Sequence, residues 1–180
     1  MEIEKYFESK KGVYVLFITY MEETDEYDEK FNKLIDNIQK QKILEDKEEF
    51  EHFLLMILNF ATNHHRTPET RAKIEKILLN FRKEIKQSFT NIEIFDIFSN
   101  NKLILLYLIK KNIIKIDEYI ADIIFNTVDY DGTQYCHFFL PEIKKFLDSE
   151  KLNEIKQEIL NLDPTIPDNF DEKRQKGEND

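Results

Sequence analysis

Turn-forming residues are scarce in this sequence. Its 180 residues include only 3 Gly and 4 Pro. An all-β fold of this length needs many tight turns, and tight turns depend heavily on these two residue types. The scarcity therefore favours helices over strands. With 41% hydrophobic and 34% charged residues, the composition also fits a folded helical domain better than a disordered chain.

Cysteine and long apolar runs are also in short supply. Cys136 is the single cysteine, so an internal disulfide is impossible. The longest uncharged apolar runs, 13–21 and 53–61, fall well short of the ~20 residues that a membrane-spanning helix needs. The opening segment, Met1-Glu-Ile-Glu4, is acidic and does not resemble a secretory signal. We therefore expect a soluble, cytoplasmic protein without a membrane span.

Positive charge is in the minority. The chain has 26 Lys and Arg against 36 Asp and Glu, which gives a formal net charge of -10. Phosphate backbones repel such a chain. Its basic pairs, Lys110-Lys111 and Lys144-Lys145, are isolated and typical of solvated helix faces. The composition therefore predicts no nucleic-acid binding.

Apolar residues recur with helical spacing along most of the chain. The stripes are Phe31, Leu34, Ile35 and Ile38; Phe50, Phe53, Leu54, Ile57 and Ala61; Ile74, Ile77, Leu78, Phe81 and Ile85; Ile92, Phe95 and Phe98; Ile116, Tyr119, Ile120, Ile123 and Ile124; Ile143, Phe146 and Leu147; and Leu152, Ile155, Ile159 and Leu162. They predict an all-α fold of about eight or nine helices in antiparallel hairpins, either an α-solenoid or an irregular bundle. We expect one helical domain over 1–162 and a charged linker or tail over 163–180.

Capping residues mark several of the predicted helix starts. Asp46 precedes Glu49 by three residues, as in a capping box. Thr67-Pro68-Glu69 combines an N-cap residue, a proline at the first helical position and an acid in the first turn. The Leu-His of an ankyrin repeat does not follow, so this segment predicts only a helix start. Pro141 is predicted to begin another helix.

Two apolar segments are harder to interpret. The segment Val13–Met21 is rich in β-branched and aromatic residues, which fits a strand. Its length also fits a buried helix, and no partner strand appears later, so we predict a helix. Leu103–Ile109 is apolar on every side, which predicts that both of its faces are covered. One face is expected to pack on the 116–124 stripe in a hairpin spanning 101–125.

The pairs that suggest metal or thiol chemistry have simpler interpretations. His64 and His65 are adjacent, so on a helix their rings point in different directions and do not converge on one metal. Cys136-His137 suggests a nucleophilic thiol, but that chemistry needs the imidazole held against the sulfur by a third group. We therefore expect a buried or half-buried structural cysteine and no metal dependence.

The acidic segments also lack a specific site pattern. In Asp129-x-Asp131-Gly132 the glycine comes fourth and Leu140 comes twelfth, whereas an EF-hand loop needs glycine sixth and glutamate twelfth. This cluster predicts a turn. The acids between 22 and 29 predict a solvated face or loop, with an acidic docking patch as the alternative. Glycine-rich phosphate loops, nucleophile elbows and zinc-ligand spacings are absent, so the sequence predicts no catalytic, cofactor-binding or metal-binding residue.

Three segments carry a family resemblance. They are Asn101–Leu108 (NKLILLYL), Tyr135–Glu142 (YCHFFLPE) and Gly177–Asp180 (GEND). They resemble the helical region that precedes the ankyrin repeats in a large family of trichomonad-type protist proteins; the region 12–79 is similar only in its order of helical patterns. The resemblance implies a non-enzymatic protein–protein interaction module. Its partner would be an unidentified protein, or an ankyrin stack further along the chain.

Two other functions remain open at this point. The first is an enzyme whose site is assembled from distant acids and histidines, and it would bring His52, His64, His65 or His137 together with carboxylates in one pocket. The second is a small homo-oligomer built on the Leu152–Leu162 stripe, which spans fewer heptads than a coiled coil normally needs.

Overall fold

The computed structural model describes residues 10–22, 27–63, 67–127 and 135–162. Within these residues lie ten α-helices and no strand, which confirms the all-α prediction. The helices are α1 (Lys10–Glu22), α2 (Tyr27–Lys40), α3 (Lys47–Asn63), α4 (Pro68–Asn80), α5 (Arg82–Ser88), α6 (Asn91–Phe98), α7 (Lys102–Lys110), α8 (Glu118–Asn126), α9 (Tyr135–Ile143) and α10 (Ser149–Leu162). Two 3-10 segments, Ile43–Glu45 and Lys144–Phe146, precede α3 and follow α9. The tail predicted over 163–180 lies outside the described residues.

The helices belong to two compact units, Met1–Ile113 and Ile114–Asp180. In unit 1, α1 packs against α2, α3 packs against α4 and α6, and α6 packs against α7. In unit 2, α9 packs against both α8 and α10. The two arms of the predicted 101–125 hairpin, α7 and α8, therefore belong to different units. The domain limits of 1–162 stay a prediction.

The segment Val13–Met21 lies within α1, as predicted. Val13, Phe17 and Tyr20 are at most 2% exposed and form one buried stripe at helical spacing. The ring of Phe17 also contacts that of Phe60 on α3 at 5.4 Å, edge to face. Burial of this stripe outweighs the strand preference of the β-branched residues, because tertiary packing overrides local propensity.

The predicted stripe from Ile74 to Ile85 is buried, but two helices carry it. Phe81 separates α4 from α5, and its N–H still bonds to the carbonyl of Ile77. The Phe81 ring packs against Phe53 of α3 with the ring centroids 6.1 Å apart. This break helps to explain why the described residues hold more helices than the stripes predict.

Helix α7 corrects the prediction that Leu103–Ile109 is covered on both faces. Ile104, Leu105 and Leu108 are at most 2% exposed, whereas Leu103 is 44% exposed. Leu106, between them, is half-buried. The helix therefore buries one face, and its remaining apolar side chains reach solvent.

The end of α7 is a Schellman motif. Asn112 has a φ of 54°, in the left-handed region that asparagine tolerates better than most residues. Its N–H bonds to the carbonyl of Ile109 at 3.0 Å, and the N–H of Ile113 bonds to that of Leu108 at 2.9 Å. These two bonds satisfy carbonyls that would otherwise lack partners at the helix end. Unit 1 ends at Ile113, the second of the two residues whose N–H groups form these bonds.

The prediction that Pro141 begins a helix is wrong, because Pro141 lies inside α9. Proline has no N–H, so the carbonyl of His137 loses its usual partner four residues later. The helix ends two residues after the proline, at Ile143, and continues as the 3-10 segment Lys144–Phe146. The apolar residues that precede the proline drive the earlier start, since Phe139 and Leu140 are at most 3% exposed.

The other predicted stripes are buried to different extents. The predicted capped start of α3 is present, since Asp46 Oδ1 accepts hydrogen bonds from the N–H groups of Glu48 and Glu49.

In the last predicted stripe, Ile155 of α10 is fully buried, whereas its neighbours on the stripe are not. The stripe residues that are half-buried or exposed are Ile35, Ile92, Tyr119, Ile123, Phe146, Leu147, Leu152 and Ile159.

Candidate functional site

A depression with a volume of about 760 Å³ lies along α3 in unit 1. Residues from α1, the Ile43–Glu45 segment, α3 and the turn after α6 surround it. We call it the α3 groove; it is lined by Val13, Tyr14, Ile43, Glu49, His52, Phe53, Leu55, Met56, Leu58, Asn59, Thr62 and Asn100. Most of these side chains are apolar, and neither Lys nor Arg is among them.

Helix α3 builds the groove because it is apolar on more than one face. Phe50, Leu54 and Ile57 are fully buried in the core of unit 1. Leu55 points away from this stripe and is 39% exposed. On α1, Tyr14 is likewise displaced from the buried stripe and is 55% exposed. Two large apolar side chains thus reach solvent at the same concave surface.

Two smaller depressions adjoin the α3 groove. One, of about 300 Å³, shares Leu55 with it and is lined by Glu51, Leu55, Phe89, Glu93, Asp96 and Ile97. The other, of about 40 Å³, shares Tyr14 and Met56 with it. All charged side chains lining the three depressions are acidic; they are Glu49, Glu51, Glu93 and Asp96.

A hydrogen-bonded cluster at the start of α6 fixes one edge of this surface. Glu93 and Thr90 form a capping box, with Glu93 Oε2 accepting from the Thr90 N–H at 2.7 Å. Glu93 also accepts a hydrogen bond from Lys47 Nζ of α3, so one carboxylate joins α6 to α3. The bond from Lys47, followed by those from Thr90, lowers the pKa of Glu93 to about 2. The Glu93 carboxyl group is therefore ionised at neutral pH.

A second notable residue of unit 1 is Lys73 on α4, which is only 1% exposed. Its Nζ donates a hydrogen bond to the Met21 carbonyl at 3.1 Å. That carbonyl lies in the last turn of α1, where helix carbonyls have no partner within their own helix. The ammonium group also lies 3.8 Å from Glu69 and 5.6 Å from the centre of the Tyr20 ring.

In unit 2, Cys136, His137 and Glu158 come together. Their potential ligand atoms all lie within 4.8 Å of one another. His137 Nε2 is 3.0 Å from Glu158 Oε2, which joins α9 to α10. Cys136 is fully buried, as the sequence predicts. Burial, reinforced by the Glu158 carboxylate, raises the pKa of the Cys136 thiol to about 11.

The histidines named in the enzyme hypothesis have different positions. His52 is exposed and lines the α3 groove with Glu49, and His137 contacts Glu158 in unit 2. His64, His65 and the turn predicted at Asp129–Gly132 lie outside the described residues. Thr67 is the N-cap of α4, as predicted, and its hydroxyl oxygen accepts from the Thr70 N–H at 3.2 Å.

Sequence reasoning missed three features, and only two of them leave a signal in the sequence. Lys73 directly precedes Ile74 on a predicted helix. The only sequence signal of a buried amine is therefore a lysine beside the apolar residues of that stripe. Leu55 and Met56 extend the apolar surface of α3 beyond its buried stripe. Glu158 follows Cys136 and His137 by about one helical hairpin, a separation that carries no local spacing signal.

Comparison with known proteins gives no relative. No family model matches the chain, and neither a curated protein nor a solved structure matches it. The resemblance to the pre-ankyrin region therefore stays a prediction. Among the described residues, no helix combines the length and the apolar character that crossing a membrane requires.

Proposed function

We propose that this protein is a non-enzymatic protein–protein interaction module, the helical front end of an ankyrin-repeat-type protein. In this proposal the α3 groove binds a helical segment of the partner protein. The supporting observation is that Tyr14 and Leu55, 55% and 39% exposed, stand at one concave and mainly apolar surface. Large apolar side chains that remain exposed around a depression are typical of protein-binding sites.

The shape of the groove favours a helix as the bound element. Its volume of about 760 Å³ is large enough for several apolar side chains of a partner. An amphipathic helix presents such side chains at i, i+3, i+4 and i+7, and a groove between helices accepts that row. Tyr14 on α1 and Leu55 on α3 would contact it from two different helices.

The charge of the surface favours a cationic partner. Glu49 lines the groove, and Glu51 and Asp96 line the depression beside it, without any Lys or Arg among the lining residues. Glu93 also lines that depression, but its carboxylate is paired with Lys47. Complementary charges at the rim of an interface mainly raise the association rate and select the partner. We therefore propose that the bound helix has an apolar face flanked by Lys or Arg.

The family resemblance supplies one source for this helix. Ankyrin repeats consist of stacked helical hairpins, and the resemblance carried by Asn101–Leu108 and Tyr135–Glu142 implies that such a stack follows this region. A helix of the stack and a helix of a separate protein present the same chemistry to the groove. Both would be recognised through apolar anchors and basic flanks.

A designed peptide tests the proposal directly. The probe is a fluorescently labelled helix of about five turns, made of leucine and lysine with leucine at i, i+3, i+4 and i+7. We expect saturable binding, and we expect Leu55→Asp to weaken it by about tenfold or more, since a central anchor commonly contributes over 1 kcal/mol. Fluorescence anisotropy measures both affinities.

Three controls make this result specific. Leu103→Asp changes a leucine with a similar exposure, 44%, that does not line the groove, and it should leave the affinity unchanged. A peptide of the same composition in scrambled order should bind more weakly, and one with glutamate in place of lysine should bind more weakly still. Equal binding by the parent and Leu55→Asp, or by the ordered and scrambled peptides, would contradict the proposal. Equal binding of the acidic and basic peptides would remove its charge component.

A further inference from the structure

Cys136, His137 and Glu158 of unit 2 combine a sulfur, a ring nitrogen and a carboxylate in one place. The cysteine and histidine come from the first turn of α9, and the glutamate comes from α10. All three potential ligand atoms lie within 4.8 Å of one another. We propose that these three residues bind a zinc ion, which would join α9 to α10.

The distances are close to those that zinc requires. Zinc binds sulfur at about 2.3 Å and nitrogen or oxygen at about 2.0–2.2 Å, so a tetrahedral ion separates its ligand atoms by roughly 3.3–3.6 Å. His137 Nε2 and Glu158 Oε2 are 3.0 Å apart, slightly closer than that separation, so they would move apart by about 0.3 Å to bind the ion. Small side-chain rotations bring the cysteine sulfur into range, because the largest spacing in the cluster does not exceed 4.8 Å.

The donor types select zinc among the common metal ions. Magnesium and calcium prefer an all-oxygen shell, which a thiol and an imidazole do not provide. Zinc accepts sulfur, nitrogen and oxygen in a four-coordinate shell, and sites with three protein ligands keep the fourth position for water. Cys136 is fully buried, His137 is 9% exposed, and the Glu158 side chain is 33% exposed. The ion would therefore enter, and the water would bind, from the Glu158 side.

Charge balance is also favourable. Zinc binding replaces the thiol proton of Cys136, which passes to solvent, and leaves a thiolate, a neutral imidazole and a carboxylate around the ion. The two negative ligands then neutralise the two positive charges of zinc. A buried cluster with no net charge avoids the large desolvation penalty of an isolated ion. This inference is independent of the α3 groove, which lies in the other unit.

Zinc binding by the full chain, freed of any affinity tag and stripped with chelator, tests the proposal. Competition against a chromophoric zinc chelator should show one tight site per chain. Cobalt loaded in place of zinc should give a thiolate-to-cobalt charge-transfer band that is absent in Cys136→Ser. Glu158→Gln has the same shape and a partly exposed side chain, so it should keep the helix content. We expect it to weaken zinc binding by at least about tenfold, since even residues behind the ligands contribute that much.

Two matched variants separate this site from other zinc-binding groups. Glu150→Gln removes an exposed carboxylate about two turns away on α10, and His52→Gln removes an exposed histidine of unit 1. Both should bind zinc as the parent does. The proposal fails if the parent binds no zinc at equimolar concentration. It also fails if Glu158→Gln and Cys136→Ser, with parental circular dichroism, keep the parental affinity, or if His52→Gln loses it.

Discussion

Lys73 joins two helices of unit 1 through one hydrogen bond. Its ammonium group reaches the Met21 carbonyl in the last turn of α1, and the residue as a whole is only 1% exposed. A cation at that position also faces the negative end of the α1 dipole. The residue therefore serves as a C-cap that α4 supplies to another helix.

Replacing Lys73 separates its packing from its hydrogen bond. Lys73→Ala removes both and should lower the free energy of unfolding by about 2–4 kcal/mol, through a cavity and an unpaired carbonyl. Lys73→Met keeps most of the volume and should cost less, about 1–2 kcal/mol, since a buried charge is exchanged for an apolar chain. Chemical denaturation measures both. The exposed Lys33→Ala is the control and should change stability by less than about 0.5 kcal/mol. An equally small effect of Lys73→Ala would show that the amine is not buried.

Glu93 gives unit 1 a defined response to acid. Its pKa is about 2 in the folded protein, against an ordinary value of 4.5. A carboxylate with a lowered pKa stabilises the fold fully above its unfolded pKa and loses that contribution as pH falls through the folded one. The stability difference between the parent and Glu93→Gln should therefore be constant above about pH 5 and shrink between about 4.5 and 2.

The cause of the lowered pKa can be measured separately. The bond from Lys47 is its largest cause, so Lys47→Met should raise the pKa of Glu93 towards 4.5. Lys33→Met removes a lysine from an exposed ion pair with Glu29 and should leave the pKa of Glu93 unchanged. Carbon NMR of the Glu93 carboxyl group follows the titration. An unchanged pKa in Lys47→Met would mean that the contact with α6 does not form in solution.

At the scale of elements, α7 shows why a uniformly apolar helix is hard to interpret. Leu105 is fully buried, whereas Leu103, two residues earlier, is 44% exposed. A helix with polar and apolar positions reveals its buried face through their spacing, but Leu103–Ile109 has no polar position to supply that contrast. Its orientation depends on packing against α6, which local sequence does not contain.

Alanine substitutions at two leucines of α7, one buried and one exposed, should change the stability of the protein by different amounts. Leu105→Ala should lower the free energy of unfolding by about 2–5 kcal/mol, because it removes buried surface and leaves a cavity. Leu103→Ala makes the same change in helix propensity at an exposed position and should cost less than about 1 kcal/mol. Chemical denaturation of the pair decides the orientation. Equal midpoints would contradict the one-sided burial of α7.

At the scale of the whole molecule, the sequence predicts helices better than it predicts what they bring together. The stripe from Phe50 to Ala61 predicts the buried face of α3, because spacing alone determines which side chains share a face. The groove on the other side depends on where α1 and α6 lie against α3. Glu158 likewise reaches His137 only through the packing of α10 on α9. Such contacts between helices leave no trace in local periodicity.

The division into two units likewise depends on contacts between helices that the local sequence does not reveal. Asn112 and the Schellman motif end α7 at the limit of unit 1. From the sequence, the segment 101–125 is predicted as one hairpin, because two apolar stripes separated by a short link are typical of that motif. Lys110-Lys111 and Asn112 are residue types common at a helix end, whereas no residue pattern indicates that α7 and α8 belong to different units.

The exposed ring of Tyr14 also has a spectroscopic consequence. The chain has 8 Tyr and no Trp, so its intrinsic emission comes from tyrosine alone. A single tryptophan on the apolar face of a bound helix would be the only indole in the complex and would accept excitation energy from nearby tyrosines. Because Tyr14 is the one tyrosine among the residues that line the groove, Tyr14→Phe would remove that donor while keeping an aromatic surface. Energy transfer from Tyr14 to the indole would therefore report that the helix is bound at the groove.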